Sequence, residues 1–210
     1  MKAVFLEGSG KPGKSASGAI AAYLSGKLTD GGFSSRTFRA ANIIRSEKEQ
    51  TEFTAALQSA EFLVLVFPLY VDALPAPLIR ALEIAQAALG GNNRVGLITI
   101  VNCGFPESFH NDTALAVCRE FARQAGLSWA ASLSIGQGGA LDFGHKRFPA
   151  ADLNALADLM AKPATAPALD LTARAAMPAW LYIMVAEIMW FVDAKRHGAF
   201  GRLFAKPYKI

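Results

Sequence analysis

Apolar residues along the chain follow two alternating rhythms. In the first, short compact runs stand alone: KAVFLEG at the start, FLVLVF at Phe62–Phe67 and VGLITIV at Val95–Val101. Continuous apolar runs of this length suit strands covered on both faces. Phe33–Phe38 is half polar and reads as a weaker strand near an edge, and SWAASLSIG at Ser128–Gly136 alternates as a fifth strand. In the second rhythm, apolar residues recur every third or fourth position. Ile20, Tyr23, Leu24 and Leu28 mark a helix that starts at Ser17 and stops at Asp30-Gly31-Gly32. Ser46 with Glu49 forms a capping box before a helix carrying Phe53 and Leu57. Leu78, Leu82, Ala85 and Leu89 stripe a helix that follows Pro75 and Pro77 and ends at Gly90-Gly91. Asp112 stands as the cap of a helix with Ala114, Cys118, Phe121 and Ala125 in line, and Gly126 terminates it. A further helix covers Ala151–Met160.

Alternation of five strands with helices implies a parallel sheet with helices on both faces, and right-handed crossovers leave few topologies open. In such sheets ligands bind beyond the carboxyl ends of the strands. The loops after strands one, three, four and five therefore hold the candidate chemistry. Residues 161–176, rich in Ala, Pro and Thr, read as a connector. The division that follows is a main domain over residues 1–165 and an extension over 166–210, made of a linker, a hydrophobic helix and a basic tail.

Composition narrows the function classes. The 210 residues are 52% hydrophobic and 18% charged, which argues against disorder over most of the length. A formal charge of +4 suits small anionic partners and is too slight and scattered for nucleic acid. Two cysteines, Cys103 and Cys118, are too few for a disulfide framework or a four-thiolate iron–sulfur cluster. They fit a reducing compartment, and with no signal peptide in view the expected location is the cytoplasm. No metal-binding cluster, carboxylate pair or Ser/His/Asp arrangement stands out.

The first loop does. GSGKPGKS at Gly8–Ser15 fits the pattern G-x-x-x-x-G-K-[ST] and lies between a strand and a helix. Glycines there let backbone N–H groups converge on an anion, and the helix N-terminus adds a favourable dipole. The pattern points to a phosphate site, as against a merely flexible turn. A P-loop NTPase also needs a carboxylate at the end of a later hydrophobic strand. FLVLVF is followed by Pro68, VGLITIV by Asn102 and SWAASLSI by Gly136; Asp72 lies five residues past Phe67. Those endings count against an NTPase.

The longer run Gly8-Ser9-Gly10-Lys11-Pro12-Gly13-Lys14-Ser15-Ala16-Ser17 resembles the opening loop G-S-x-R-x-x-S-x-S of the NADPH-dependent FMN reductase and flavodoxin-like NAD(P)H oxidoreductase superfamily. FPLYVDALPAPLIRALE at Phe67–Glu83 is similar to that superfamily's third-strand loop P-x-Y-x-x-x-x-P-x-x-L-K, through Pro68, Tyr70, Pro75 and Leu78. The resemblance covers roughly residues 1–160. It implies a flavodoxin-like three-layer sandwich, a five-stranded parallel sheet in the order 2-1-3-4-5 and a C-terminal helical extension. It also implies FMN as cofactor, NAD(P)H as co-substrate, a small-molecule electron acceptor and a homodimer. Ser9, Ser15, Ala16 and Ser17 would hold the phosphate, with Lys11 where the superfamily often has Arg. Pro68, Leu69, Tyr70 and Val71 would flank the flavin, Tyr70 with its ring and the neighbouring backbone with its polar groups. Asn102, Cys103, Gly104 and Phe105 would meet its N5/O4 edge, and Gly138-Gly139 would allow close approach of ligand to backbone.

Five residues carry competing readings. Cys103 is a redox nucleophile or a small packing residue, and the absence of a positive neighbour in sequence favours packing. His110 is a proton donor to the acceptor or an exposed loop residue. His145, Lys146 and Arg147 meet a dinucleotide phosphate or form a solvated loop. The tail is apolar over Met177–Val192 except for Glu187, too short to span a bilayer of ~20 residues' thickness. It packs on its own domain, crosses to a second subunit, or lies on a membrane surface with Lys195, Arg196, Arg202, Lys206 and Lys209 near headgroups; the first two readings take precedence. The rival functions are a flavodoxin-like electron carrier without NAD(P)H activity and, behind it, a P-loop nucleotide-binding protein.

Overall fold

The computed structural model describes residues 1–11, 13–91, 94–141, 149–162, 167–202 and 205. Six strands form one sheet: β1 (Lys2–Glu7), β2 (Ser34–Arg39), β3 (Phe62–Pro68), β4 (Gly96–Asn102), β5 (Ser128–Gly136) and β6 (Leu169–Arg174). Every pairing is parallel and the spatial order is β2-β1-β3-β4-β5-β6. The first five strands take the expected order; the sixth corrects the expected count of five. β6 arises from the stretch read as a connector. Its LDLTAR sequence alternates half-buried and exposed positions and, among the described residues, has a neighbour on one side only, so it lacks the apolar run that marks the central strands.

Both faces of the sheet are covered. On one, α3 (Glu47–Gln58), α4 (Ala76–Leu89) and α5 (Asp112–Ala125) lie side by side, and on the other α1 (Ala16–Asp30) packs against α7 (Ala150–Met160). Val4, Leu6, Leu63, Leu65, Phe67, Leu97 and Val101 join Phe53, Leu57, Leu78 and Leu82 in one core. Their strand neighbours Phe5, Val64, Val66, Ile98 and Ile100 are equally buried and, by strand alternation, face the opposite layer. This is why the central strands are apolar at nearly every position, with Thr99 a buried exception in β4.

Local chemistry sets the helix ends. Ser15, extended at φ −137°, accepts from the Gly18 amide and caps α1, which begins at Ala16, one residue ahead of the sequence reading. Ser46 caps α3 through the Glu49 amide. Gly90 and Gly126 end α4 and α5 in the left-handed conformation. Asp112 is the first residue inside α5 rather than its cap. Asn111 holds the cap position without a side-chain cap bond; its side chain turns to β5, where Nδ2 donates to Ser134 Oγ and Ile135 O. Two short helices, α2 (Ala40–Ile43) and α6 (Gly138–Leu141), and a 3-10 turn over Ser108–Asn111 complete the connections around the site.

The edge strand β6 is held by one carboxylate. Asp170 accepts from Ser132 Oγ at 2.5 Å, Arg119 Nη2 at 2.8 Å and Trp129 Nε1 at 3.2 Å, while the Arg119 guanidinium lies 4.4 Å over the Trp129 ring. Partial burial raises the Asp170 pKa, but the bonds from Ser132, Arg119 and Trp129 outweigh it and hold the carboxyl below its ordinary value.

The chain divides into two compact units, Met1–Ala176 and Met177–Ile210. The second contains α8 (Ala179–Arg196), whose Phe191 ring lies 6.1 Å from Phe200, with Gly198 at φ +66° turning the chain between them. Among the described residues no helix is long and apolar enough to cross a membrane.

Asp170→Ala leaves the Ser132 hydroxyl without its acceptor and is expected to cost about 1–2 kcal/mol of stability. The folded pKa lies below the unfolded value of about 3.9, so the contribution is complete at neutral pH and disappears as pH falls through the lowered folded value. Urea midpoints of wild type and variant should therefore differ at pH 7 and converge in strong acid.

Candidate functional site

β1 ends in a buried carboxylate. Glu7 is 6% exposed and pairs in register with Arg39, the last residue of β2. Arg39 Nε lies 3.2 Å from Glu7 Oε2 in ion-pair contact without hydrogen-bond alignment, and Arg39 Nη2 donates to the Lys11 carbonyl at 2.5 Å. Arg39 therefore balances the buried charge and ties down the loop above it. Gly8 brings that loop tightly against β3: its amide donates to Val66 O at 2.9 Å, and a Cβ there would come within 2.7 Å of Phe67 Cβ.

The three serines of the loop differ in what they offer. Ser15 Oγ gives its hydrogen to Glu7 Oε1 at 2.5 Å and accepts from the Gly18 amide, so it is a helix cap with nothing left to donate. Ser9 Oγ accepts from the Lys11 amide at 3.3 Å, and Ser17 Oγ accepts from Asn102 Nδ2 at 3.0 Å. Both keep a hydrogen that no acceptor takes among the described residues. The amides of Ala16 and Ser17 lie in the first turn of α1, where no carbonyl of the helix reaches them. Four donors thus converge at the positive end of the helix dipole.

After β3, Pro68 leads into a tight turn at Tyr70–Ala73. Tyr70 and Ala73 exchange two backbone hydrogen bonds of 3.1 Å, with Val71 at φ +50° and Asp72 at φ +56°. Both central residues are left-handed, an arrangement that glycine or asparagine adopts more readily than a β-branched residue. Val71 stands at the tip, 97% exposed. The Tyr70 ring reaches back to the first loop, 4.0 Å from where a Cβ on Gly10 would lie.

The loops after β4 and β5 lock onto each other. Cys103 N–H donates to Ile135 O, Gly138 N–H to Cys103 O and Gln137 N–H to Phe105 O. Gln137 takes φ +58° to make the turn. A Cβ on Gly138 would lie 2.7 Å from Asn102 Oδ1, so glycine is required for this approach. The Cys103 thiol is buried and contacts the Glu107 carbonyl at 3.4 Å; burial pushes its pKa up, which supports its packing role. Burial likewise pushes Cys118 up to about 12. Phe105, His110 and Phe109 form an open stack, with His110 centred 4.1 Å from Phe105 and 4.4 Å from Phe109.

These loops border an open cleft at the carboxyl ends of the strands. Ser9, Lys11, Ser15, Ala16 and Ser17 line it from the first loop. Pro68, Leu69 and Tyr70 line it from the second, with Asn102, Gly104, Gly138 and Gly139 closing the far side. Val71, Cys103 and Phe105 are not part of the lining. Of the backbone groups expected to face a ligand, the amides of Leu69, Tyr70, Cys103 and Gly138 are all spent on main-chain carbonyls, so these residues contribute shape. His145, Lys146 and Arg147 lie outside the described residues. Glu7 and Arg39 escaped the sequence reading, although a charged residue closing each of two adjacent strands was the available signal. A second depression, bordered by Phe62, Gly96 and Trp129 where the strands begin, lies at the end of the sheet opposite to where such folds bind ligands.

A parallel sheet in the order 2-1-3-4-5 with the phosphate-type loop after its first strand decides the architecture. The fold is flavodoxin-like. An NADH:FMN oxidoreductase in its apo form superposes with a TM-score of 0.62 at 18% identity, over 78% of this chain and 90% of that one. An NAD(P)H:quinone oxidoreductase from Methanothermobacter marburgensis gives 0.55 at 14% identity, over 77% and 92%. A flavodoxin mutant from Pseudomonas aeruginosa gives 0.52 at 17% identity, over 77% of this chain and 100% of that one. No family model matches the sequence, and no curated protein matches it either.

Two substitutions test the geometry of the first two loops. Ser15→Ala removes the α1 cap and is expected to lower stability by about 0.5–2 kcal/mol in denaturant titration. Val71→Asn combined with Asp72→Gly suits the left-handed turn and is expected to raise stability by up to ~1 kcal/mol; an unchanged or lower urea midpoint would show the turn to be unstrained.

Proposed function

We propose that the cleft binds FMN and that the chain is an FMN-dependent NAD(P)H oxidoreductase of the flavin or quinone reductase type. The observation that carries this reading is the donor set: the spare hydrogens of Ser9 and Ser17 and the first-turn amides of Ala16 and Ser17. All are donors and all meet at a helix N-terminus, which suits the phosphate oxygens of a flavin mononucleotide. The one carboxylate beneath them, Glu7, is paired with Arg39 and Ser15 and so does not oppose the anion with an unbalanced charge.

FMN, when bound, would supply the two-electron chemistry between a nicotinamide and an acceptor. The chain's residues bind and orient. The first loop holds the phosphate, Tyr70 flanks the ring system, and Gly138 leaves room for close approach. In this reading His110, stacked on Phe105 in the loop after β4, is the group that would supply a proton to the acceptor. The net charge of +4 suits an anionic dinucleotide. The oxidoreductases with similar folds support the class of activity, and the flavodoxin, matched over its whole length, supports the second reading, an electron carrier without NAD(P)H activity. A P-loop NTPase fits less well, since β3, β4 and β5 end in Pro68, Asn102 and Gly136 and Ser15 has given its hydrogen to Glu7.

We take the acceptor to be a small molecule and the chain to act as a homodimer through its apolar tail. Sedimentation would show a mass of two chains, and flotation with anionic liposomes would instead favour a membrane role for that tail.

Purified protein is expected to be yellow and to release FMN on denaturation. Under air-free conditions NADPH or NADH should bleach the flavin bands, and a quinone should restore them. Bound flavin that neither nicotinamide reduces would leave the carrier reading standing in place of the enzyme. Ser17→Ala should weaken FMN binding ~10-fold or more, as a hydrogen bond to a charged oxygen is lost.

A further inference from the structure

We infer that Asn102 is the positioning residue of the phosphate site, fixing the direction in which Ser17 donates; the inference rests on the anion-binding reading of the cleft. Asn102 ends β4 and is 5% exposed. Its Nδ2 lies 3.0 Å from Ser17 Oγ and 3.1 Å from the Phe67 carbonyl oxygen. A carbonyl oxygen only accepts, so the atom facing Phe67 is the amide nitrogen, and its two hydrogens go to these two neighbours. Ser17 Oγ is thereby the acceptor of the pair.

A hydroxyl has one hydrogen. With its oxygen engaged by Asn102, Ser17 must send that hydrogen elsewhere. The side chain is 1% exposed, no described residue accepts from it, and it lines the cleft. The direction left open is toward an acceptor inside the cleft. Ser15 shows the opposite outcome two residues earlier: there Glu7 takes the hydrogen and the hydroxyl offers nothing to a ligand. An acid beside one serine and an amide beside the other determine which of the two helix hydroxyls donates to the anion.

Asn102 is itself held on three sides. Phe67 belongs to β3 and Ser17 to the first turn of α1. The close approach of Gly138 brings the turn after β5 against Asn102 Oδ1. The amide therefore joins the ends of two strands, the phosphate loop's helix and the last loop of the site. It acts on the ligand through Ser17.

The test is a double-mutant cycle read with two flavins. Asn102→Leu keeps the size and removes the donor. FMN and riboflavin share the ring system and differ in the phosphate, so dissociation constants for both are measured for wild type, Asn102→Leu, Ser17→Ala and the double variant. The expected result is a loss of FMN affinity of several-fold to ~10-fold in Asn102→Leu, little change for riboflavin, and no further loss when Ser17 is already alanine. Equal losses for both flavins, or full additivity with Ser17→Ala, would overturn the inference, because Asn102 would then act on the ring or on the fold. Should Asn102→Leu fail to fold, Asn102→Asp keeps the shape and can only accept while ionised. It turns the Ser17 hydrogen toward itself and should lower FMN affinity more than Ser17→Ala does; affinity equal to wild type would overturn the inference. If wild type binds no flavin, the same cycle is run with inorganic phosphate as the probe. A non-additive loss there upholds the role of Asn102 while the FMN reading falls, and wild type that binds neither flavin nor phosphate overturns both.

Discussion

All six strands run in one direction, so every strand releases its following loop at the same edge of the sheet. The rest of the structure depends on this constraint. Four loops separated by up to about 130 residues in sequence, beginning at Gly8, Pro68, Asn102 and Gly136, arrive at one rim and have to share its space. They do so by hydrogen-bonding to each other's backbone: Leu69 to Asn102, Cys103 to Ile135, Gly138 to Cys103. Glycine at position 138 follows from the same crowding, since any side chain there would collide with Asn102.

With so much backbone committed to holding the rim together, few polar groups are left to meet a ligand. Those that remain are hydroxyl hydrogens and helix-start amides in the first loop. The buried Glu7–Arg39 pair beneath them fills a structural need before a chemical one. A carboxylate at the end of a central strand is costly to bury unless a cation and hydrogen bonds accompany it, and here the adjacent strand ends in the arginine and the loop returns the serine. The cost of stabilising Glu7 is that the Ser15 hydroxyl has no hydrogen left to offer, whereas Ser9 and Ser17 keep theirs.

Much of this was legible in the amino-acid order. The apolar runs at Phe62–Phe67 and Val95–Val101 could hardly be anything other than doubly covered strands, and Gly90 and Gly126 marked helix ends by their need for a left-handed backbone. Ser9 and Ser17 lay in a loop whose pattern pointed to phosphate. Three features were hidden for physical reasons. β6 is a half-polar edge strand, and its pairing depends on Asp170 finding Ser132, Trp129 and Arg119 far away in sequence. The split between Ser15 and Ser17 depends on partners at positions 7 and 102, which spacing alone does not bring together. Asp112, expected as the cap of α5, lies inside the helix because the chain already turns at Asn111, whose amide is bonded to β5.

The two outermost strands share a further property. β2 places Arg36 and Arg39 along one border of the sheet, and β6 places Asp170 and Arg174 along the other. A parallel sheet is vulnerable at such borders, where unpaired main-chain groups invite a strand from another molecule. Here an incoming strand would have to strip water from fixed charges on either side before it could pair. The short, charged margins thus act as gatekeepers against runaway strand addition, protecting a chain whose interior strands, if exposed, would be prone to amyloid-like assembly.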